Sequence, residues 1–356
     1  MIYGEKDYND LYSWHEQKEK KRCPICGSID TKRHGLIEGR MRIVRGEVKK
    51  QTQRFYCNCC HKSFTDKGYD VRTRYSENFK SDTAMMYVMT KASLSEIAEI
   101  KGVSNTSINN WIIEIASKTD EFYDFGFRNP SGYIQIDGKE VRVKGEKRVI
   151  FVASDSKSHR PVCYGIYDSE NNRNAKQFML QVKELYGAEV KGMTSDFGRG
   201  KCFIPVIKEI FPNANHQVCI FHFLRYMWLF IPRTRRSRYF WRNQVLKKMI
   251  TAVIKAKTRF ESKKRLDELL SRKKFFKAKY HRKFIRSIEK NFDLLTTHFE
   301  DPILDITSNV IENWNRQLER KLKNTDGFKS DTGLASFLKL WFLKTVENLD
   351  KKVQLN

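Results

Sequence analysis

Three β-prone segments follow one another between residues 132 and 169, and helical and β-prone segments alternate after them. The three are YIQIDGKEVRVK, RVIFVASDS and PVCYGIYDS. Next come a helix at NAKQFMLQVKELYG, a strand at EVKGMTSDF, a helix at KCFIPVIKEIF and a strand at HQVCIFHF. Successive strands followed by alternating helices and strands predict a mixed sheet covered by helices.

This order of elements is that of the ribonuclease H-like fold, in which the first and fourth strands are neighbours. Asp137 lies on the first strand and Asp196 at the end of the fourth, so we expect the two carboxylates to face each other. A dry carboxylate in a sheet is costly unless it is paired or bound to a cation. The alternative is a turn at Asp137 and Gly138, because Asp-Gly between extended segments is a strong hairpin signal.

The charge of the chain indicates a polyanionic partner. Lys and Arg outnumber Asp and Glu by 68 to 42, which gives a net charge of +26. Nucleic acid is the first expectation for such a surface. No apolar run approaches a membrane span, and residues 1–20, which we interpret as an N-terminal tail, lack a signal-peptide core. We therefore expect a soluble, intracellular protein with no membrane partner.

Residues 21–68 carry the spacing of a zinc ribbon. The sequences CPIC and CNCC give C-x2-C-x30-C-x2-C when Cys23, Cys26, Cys57 and Cys60 are taken as ligands. Two such pairs can supply four thiolates to one tetrahedral Zn²⁺, which would be structural. Cys59 is a spare thiol that leaves the choice of ligands ambiguous. A redox pair or free thiols are the alternative, and iron can also occupy four thiolates.

Residues 70–120 have the pattern of a helix-turn-helix DNA-binding domain. In SLSEIAEIKGVSNTSINNWIIEIA, Gly102 separates two helical stretches that share one apolar face, and Ser104 is placed to cap the second helix. A plain helical hairpin is the alternative. The second helix would expose short polar residues suited to base edges or phosphates, namely Asn105, Thr106, Ser107, Asn109 and Asn110.

Residues 226–302 form a basic helical insertion in the predicted architecture. The segment RTRRSRYFWRNQVLKK combines basic and aromatic residues without an acid. This combination suits a phosphate backbone and stacking on unpaired bases, whereas a solvated charged helix is the alternative. The candidate DNA-binding residues are Arg235, Arg236, Arg238, Trp241 and Arg242.

A third acid is expected on the helix that follows this insertion, in DITSNVIENWNRQLERKLK. Glu312 is the candidate, with Glu319 and Asp305 nearby. Residues 130–225 and 303–350 would then form the two parts of a catalytic core. Three carboxylates, Asp137, Asp196 and Glu312, suit Mg²⁺ or Mn²⁺. Two such ions would support an in-line displacement at phosphorus.

The motifs together resemble a DDE transposase of the Mutator-like superfamily, including its prokaryotic insertion-sequence relatives. They are IQIDGKEV, TSDFGRG, HQVCIFHF and TSNVIENWNRQLERKLK, over roughly residues 21–350. The third is similar to the C/D-x2-H element of that family and contains Cys219 and His222. The 116 positions from Asp196 to Glu312 match the family's helical insertion.

This resemblance implies DNA transposition and recombination, in which water releases a 3′-hydroxyl that then attacks target DNA. It implies Asp137, Asp196 and Glu312 as catalytic metal ligands, with Cys219 and His222 as possible support for the active site. Double-stranded DNA, as terminal inverted repeats and target, would be the partner of at least a dimer, in the cytoplasm or nucleoid of a prokaryote. Arg199 could meet phosphate or be a surface residue.

Two other functions share these features. Another ribonuclease H-like nuclease would use the same carboxylates without joining strands. A domesticated transposase would bind DNA as a regulator without catalysis. Strand joining and metal dependence distinguish the three.

Overall fold

The computed structural model describes residues 21–65, 74–119, 130–187, 189–197, 202–232, 234–323 and 327–354. Within these residues the protein is a mixed α/β structure with two β-sheets and twelve α-helices. The chain divides into two compact units, residues 1–83 and residues 84–356. The predicted N-terminal tail lies outside the described residues.

The first unit contains a three-stranded antiparallel sheet of β1 (Thr31–Ile43), β2 (Gly46–Cys57) and β3 (Ser63–Thr65). Its small core places Phe55 and Phe64 beside the cysteines, and the two rings stack with centroids 5.6 Å apart. A core this small is marginal by itself, so a bound metal would add substantially to the stability of this unit.

Three helices come next: α1 (Glu77–Met89), α2 (Leu94–Lys101) and α3 (Asn105–Lys118). Gly102 ends α2 in the left-handed region at φ +60°, which favours glycine. The Ser104 hydroxyl accepts a hydrogen bond from the Ser107 amide and caps α3, as predicted. The buried face of α3 includes Ile108 and Trp111, and the helix packs against the C-terminal helix α12 (Asp331–Gln354).

The second sheet has five strands: β4 (Tyr133–Val143), β5 (Glu146–Asp155), β6 (Pro161–Tyr167), β7 (Gly192–Ser195) and β8 (Asn215–Val218). Their order is β6-β5-β4-β7-β8; the first three are antiparallel, and β7 and β8 are parallel to β4 and to each other. The prediction that the first and fourth of these strands are neighbours is therefore confirmed.

The chain does not turn at Asp137. Strand β4 continues through Asp137 and Gly138, which pair with Val152 and Phe151 of β5. The turn to β5 lies at Lys144 and Gly145, both at positive φ. The alternative of an Asp-Gly hairpin is therefore wrong, and Asp137 is an acid within a central strand.

Helices α4 (Asn172–Tyr186) and α5 (Phe203–Ile210) cover this sheet, and their apolar residues share one core with β4 and β5. Helix α6 (Ile220–Phe230) follows β8 after only Cys219. The predicted strand HQVCIFHF is therefore wrong beyond Val218. Ile220, Phe223, Leu224 and Met227 are the buried residues of α6, and their spacing is that of one helical face.

The predicted insertion is helical throughout its regular elements, which are α7 (Phe240–Ile254), α8 (Arg259–Ser271), α9 (Lys279–Lys290) and α10 (Phe292–Thr296). They share a second apolar core with α6, and α11 (Asn309–Lys323) and α12 complete the chain. Among the described residues, none of the helices has the length and hydropathy needed to span a membrane.

Candidate active site

Adjacent parallel strands bring Asp137 and Asp196 together. Ile136 of β4 pairs with Ser195, the last residue of β7. Asp196 comes directly after Ser195, and its amide donates to the Ile136 carbonyl at 3.3 Å. The two acids are thus each one residue beyond a paired position on neighbouring strands, which explains why they meet.

Asp137 is almost fully buried, at 4% exposure. Its Oδ1 accepts a hydrogen bond from the Gly138 amide at 2.8 Å, and its Oδ2 accepts one from Asn315 Nδ2 at 2.7 Å. Burial, together with the nearby charge of Asp196, raises the pKa of Asp137 to about 7. These two donors do not fully compensate for the removal of the carboxylate from water.

Asp196 is less well satisfied than Asp137. Its Oδ1 is buried and accepts no hydrogen bond from the described residues, although His222 Nδ1 lies 3.2 Å away. Burial raises the pKa of Asp196, and the charges of His222 and Arg225 oppose that rise. An unsatisfied buried carboxylate oxygen is costly unless it gains a hydrogen-bond donor, a proton or a nearby positive charge.

Cys219 and His222 stand at the start of α6, where the chain leaves β8. His222 Nδ1 lies 3.2 Å from Cys219 Sγ and 3.5 Å from Ser308 Oγ. Burial alone would lower the pKa of His222, but the Cys219 contact and the Asp196 charge outweigh it and raise this pKa to about 9. The raised pKa and the 3.2 Å separation make His222 an ion-pair partner of Asp196 when its ring is protonated.

The residues at this site fit a divalent cation. Ligand atoms of Asp137, Asp196 and His222 all lie within 4.8 Å of one another. A buried Asp137 and a partly exposed Asp196, both with raised pKa values and the second with a buried oxygen that lacks a hydrogen bond, are expected of a site whose ionised form needs a cation. Carboxylate oxygens are the ligands that Mg²⁺ and Mn²⁺ prefer.

Helix α11 runs along the face of β4 that carries Asp137. Val310, Asn315 and Glu319 contact Gln135, Asp137 and Lys139, which are alternate residues of the strand and so share one face. This contact series fixes which side of the helix faces the acids.

Glu312 lies on this helix in its first turn, three residues before Asn315. It is partly exposed, and among the described residues it is not one of those with ligand atoms within 4.8 Å of one another. Residues three apart share a helical face, so Glu312 lies on the side that approaches Asp137. The other nearby acids are engaged: Glu319 pairs with Lys139 at 3.0 Å, and Asp305 accepts from Gln135 at 2.6 Å.

Sequence analysis missed Asn315 as a partner of Asp137. The one available signal was its spacing of three from Glu312, which would place both on one helical face. An Asn on a polar helix has many other uses, so this spacing alone is weak.

The four predicted zinc ligands lie together in the first unit. Cys23 Sγ is 3.7 Å from Cys60 Sγ, and Cys26 Sγ is 3.6 Å from Cys57 Sγ, with all four within 4.8 Å. Sulfurs about 2.3 Å from a tetrahedral Zn²⁺ would be about 3.8 Å apart. The four thiols therefore fit zinc, and the exposed Cys59 is outside the group.

The predicted DNA-binding residues lie in two places. Asn105, Thr106 and Asn110 are exposed on α3, whereas Ser107 and Asn109 are partly buried. In the insertion, Arg235, Arg236, Arg238 and Trp241 are exposed, and Trp241 is 79% accessible. Arg242 stacks between Tyr239 and Phe275, at 5.8 and 5.1 Å from the ring centroids. Arg199 lies outside the described residues.

Comparison with known proteins gives one family. The family described as "Transposase, Mutator family" matches residues 63–351. A search of curated proteins finds no match.

Fifty-one chains of solved structures also match, and one of these structures serves as an example. It is the cryo-electron microscopy structure of a simian T-cell lymphotropic virus intasome in complex with PP2A regulatory subunit B56 gamma, with 14% identity and a TM-score of 0.22. The alignment covers 48% of this chain and a little over half, 57%, of the matched chain. At that TM-score the likeness carries no structural argument.

Proposed function

The chain belongs to the Mutator family of transposases, and from this premise we propose that it cuts DNA at the ends of a mobile element and joins them to target DNA. The proposed catalytic core is ribonuclease H-like, and the proposed catalytic acids are Asp137, Asp196 and Glu312. An element of the prokaryotic insertion-sequence type fits the motifs described above. The observation that carries the proposal is the meeting of Asp137, a buried acid of β4, with Asp196, which directly follows the adjacent parallel strand β7 and has one buried oxygen that accepts no hydrogen bond from the described residues.

The chemistry needs a polarised phosphodiester and an activated oxygen nucleophile. Mg²⁺ or Mn²⁺ held by Asp137 and Asp196, as one or two ions, would supply both by acting as a Lewis acid. Asn315 holds the Asp137 carboxylate in a fixed orientation through its hydrogen bond. Glu312, on the same side of α11, is proposed as the third acid, and His222 as the cationic partner that keeps Asp196 ionised.

The remaining parts of the chain would bind DNA. We propose that residues 21–68 form a zinc ribbon, that residues 70–120 act as a helix-turn-helix on the terminal inverted repeats, and that residues 226–302 contact the DNA backbone with exposed Arg residues. Residues 130–225 and 303–350 would form the two parts of the core. A dimer or larger assembly would hold two ends, as transposition requires both.

A cleavage and joining assay tests this function. Purified protein is incubated with labelled DNA from both flanks of its own gene and Mg²⁺ or Mn²⁺. Asp196→Asn is the test variant, and Asp267→Asn, at an exposed position in α8, is the matched control. We expect nicks at a discrete position and joined products from the unchanged protein and the control only.

The other outcomes of this assay would each indicate a different function. Cleavage without joining would indicate a nuclease. Metal-independent binding of the flanks without cleavage would indicate a DNA-binding regulator. Cleavage that survives in Asp196→Asn would contradict the proposed catalytic role of this residue.

A further inference from the structure

The second unit contains a cavity of about 720 Å³ between α11, α12 and the segment 88–91 at the end of α1. None of the functions proposed above uses it. Its volume is typical of sites that hold a small molecule or a few chemical groups, and it is too small for a double helix. The cavity therefore suits a ligand the size of one or two nucleotides.

The cavity is basic. Lys91, Arg320, Lys321 and His159 are among its lining residues, and none of the described residues that line it is acidic. Lys321 is 5% exposed; its ammonium donates to the Ala92 carbonyl at 2.6 Å and lies 3.6 Å from the centre of the Tyr87 ring. These contacts hold one positive charge at a fixed place in the wall. Glu96, which is not among the lining residues, is an acid whose charge acts on Lys321, and Lys91 and Arg320 add positive charge to the lining that favours an anionic ligand.

A row of amide side chains lines the same cavity. Asn309, Asn313 and Gln317 are spaced by four residues on α11, so they lie along one side of the helix. Asn313 and Gln317 are exposed, and their side chains make no hydrogen bond to the part of the chain that the structure describes. An amide both donates and accepts, which is what recognition of a base edge requires.

The apolar part of the wall comes from two tryptophans. Trp314 and Trp341 are each 7% exposed and pack against Phe342, with ring centroids 5.8 and 4.9 Å apart. They are fixed by this packing, so Trp314, beside Asn313 on α11, and Trp341 of α12 give the cavity a rigid apolar part. Together, the apolar wall, the amides and the cations offer contacts for each part of a nucleotide.

The position of the cavity relative to the candidate acids is set by α11. Asn313 directly follows Glu312, and one residue advances about 100° around a helix. Glu312 is also three residues from both Asn309 and Asn315, about 60° from each, so the cavity side of α11 begins next to Glu312, whereas Asn313 itself is about 160° from Asn315, which contacts Asp137. A DNA strand that passes the acids could place a neighbouring nucleotide in the cavity without leaving this helix.

We propose that this cavity binds an unpaired nucleotide of the DNA strand next to the cleavage position, with Asn313 and Gln317 contacting the base and Arg320 and Lys321 attracting the phosphate. The inference rests on the proposed function. It adds a pocket that would read one or two bases beyond those recognised by the DNA-binding domains.

Fluorescence anisotropy with the full-length protein tests the proposal. The probes are a labelled duplex from the flank of its own gene with a short single-stranded 3′ extension, and the same duplex with a blunt end, both in Ca²⁺ to prevent cleavage. The test variant is Asn313→Ala with Gln317→Ala. Asn172→Ala with Gln177→Ala, at exposed positions on α4, is the matched control.

We expect the unchanged protein and the control to bind the extended duplex at least about fivefold more tightly than the blunt one. The test variant should lose that preference while its affinity for the blunt duplex is unchanged. Equal affinities of the unchanged protein for the two duplexes would overturn the proposal. A preference that the test variant retains would overturn it as well.

Free nucleotides distinguish the two possible ligands of the cavity, which are a nucleotide of a DNA strand and a soluble nucleotide. The probe is dAMP or ATP at millimolar concentration. If it binds the unchanged protein but not the test variant, and does not compete with the extended duplex, the ligand is a soluble nucleotide and the proposal is overturned. The cleavage assay is read separately. If Asp196→Asn loses cleavage but keeps its preference for the extended duplex, both proposals are supported. If the unchanged protein shows this preference but never cleaves DNA, only the proposed function is refuted.

Discussion

The Asp137 carboxylate depends on a side chain far away in the sequence. Asn315 donates to its Oδ2, and the Gly138 amide occupies its Oδ1, so each oxygen keeps lone pairs for another ligand. An amide donor orients a carboxylate without adding charge. Asn315 is thus a positioning residue in the proposed mechanism, since it acts on the reaction through Asp137.

Replacing Asn315 tests this role. Asn315→Ala should lower Mg²⁺-dependent cleavage by about 10- to 100-fold, because hydrogen-bonding partners of metal ligands typically contribute that much. The Mg²⁺ concentration for half-maximal cleavage should also rise, which a purely structural role would not require. Asn172→Ala, at an exposed position, should change neither. Unaltered Mg²⁺ dependence in Asn315→Ala would remove this residue from the mechanism.

At the scale of elements, a neutral histidine joins the helices of the insertion. His281 of α9 is fully buried; its Nδ1 accepts from the Ala278 amide at 3.3 Å and its Nε2 lies 2.6 Å from Asn243 Oδ1 of α7. A backbone amide can only donate, so the ring is neutral with its proton on Nε2. Burial, with the charge of Arg242, lowers the pKa of His281 to about 4.

The insertion should therefore lose stability in acid. Between pH 6.5, the ordinary histidine pKa, and about pH 4, this histidine is protonated in the unfolded chain but neutral in the folded chain. The free energy of unfolding therefore falls as the pH falls through this window. One such group contributes at most about 1.4 kcal/mol per pH unit. Thermal unfolding followed from pH 7 to 4 should show a shallower decline in His281→Gln than in the unchanged protein. Identical slopes would show that His281 titrates normally.

Some features of the helices and strands could be predicted from the sequence, and others could not. The strand order and the meeting of Asp137 and Asp196 were predictable, because the ends of neighbouring parallel strands share one edge of a sheet. The start of α6 was not predictable, because the short apolar run VCIF within HQVCIFHF does not distinguish a strand from a helix. The contact of Asn315 and the cavity beside Asn313 depend on the rotation of α11 against β4 and α12, which helical periodicity alone does not fix.

At the scale of the whole molecule, the metal content depends on which four of the five N-terminal cysteines bind zinc. Cys26 is within the four-thiol group and Cys59 is exposed outside it. We predict one zinc per chain by elemental analysis, retained in Cys59→Ser and lost in Cys26→Ser. The Cys26→Ser protein should also be cleaved more rapidly by protease within residues 21–65, since this unit has only a small core. Zinc loss in Cys59→Ser alone would contradict this choice of ligands.

The central claim is that Asp196 directly holds the metal ion used to cleave DNA. Asp196→Cys replaces a hard oxygen ligand with a softer thiolate, which binds Mn²⁺ better than Mg²⁺. The measurement is the rate of flank cleavage by this variant in each metal, beside Asp267→Cys as a surface control. We predict that Asp196→Cys is inactive in Mg²⁺ and regains cleavage in Mn²⁺, while the control is active in both. Full activity of Asp196→Cys in Mg²⁺ would contradict the account.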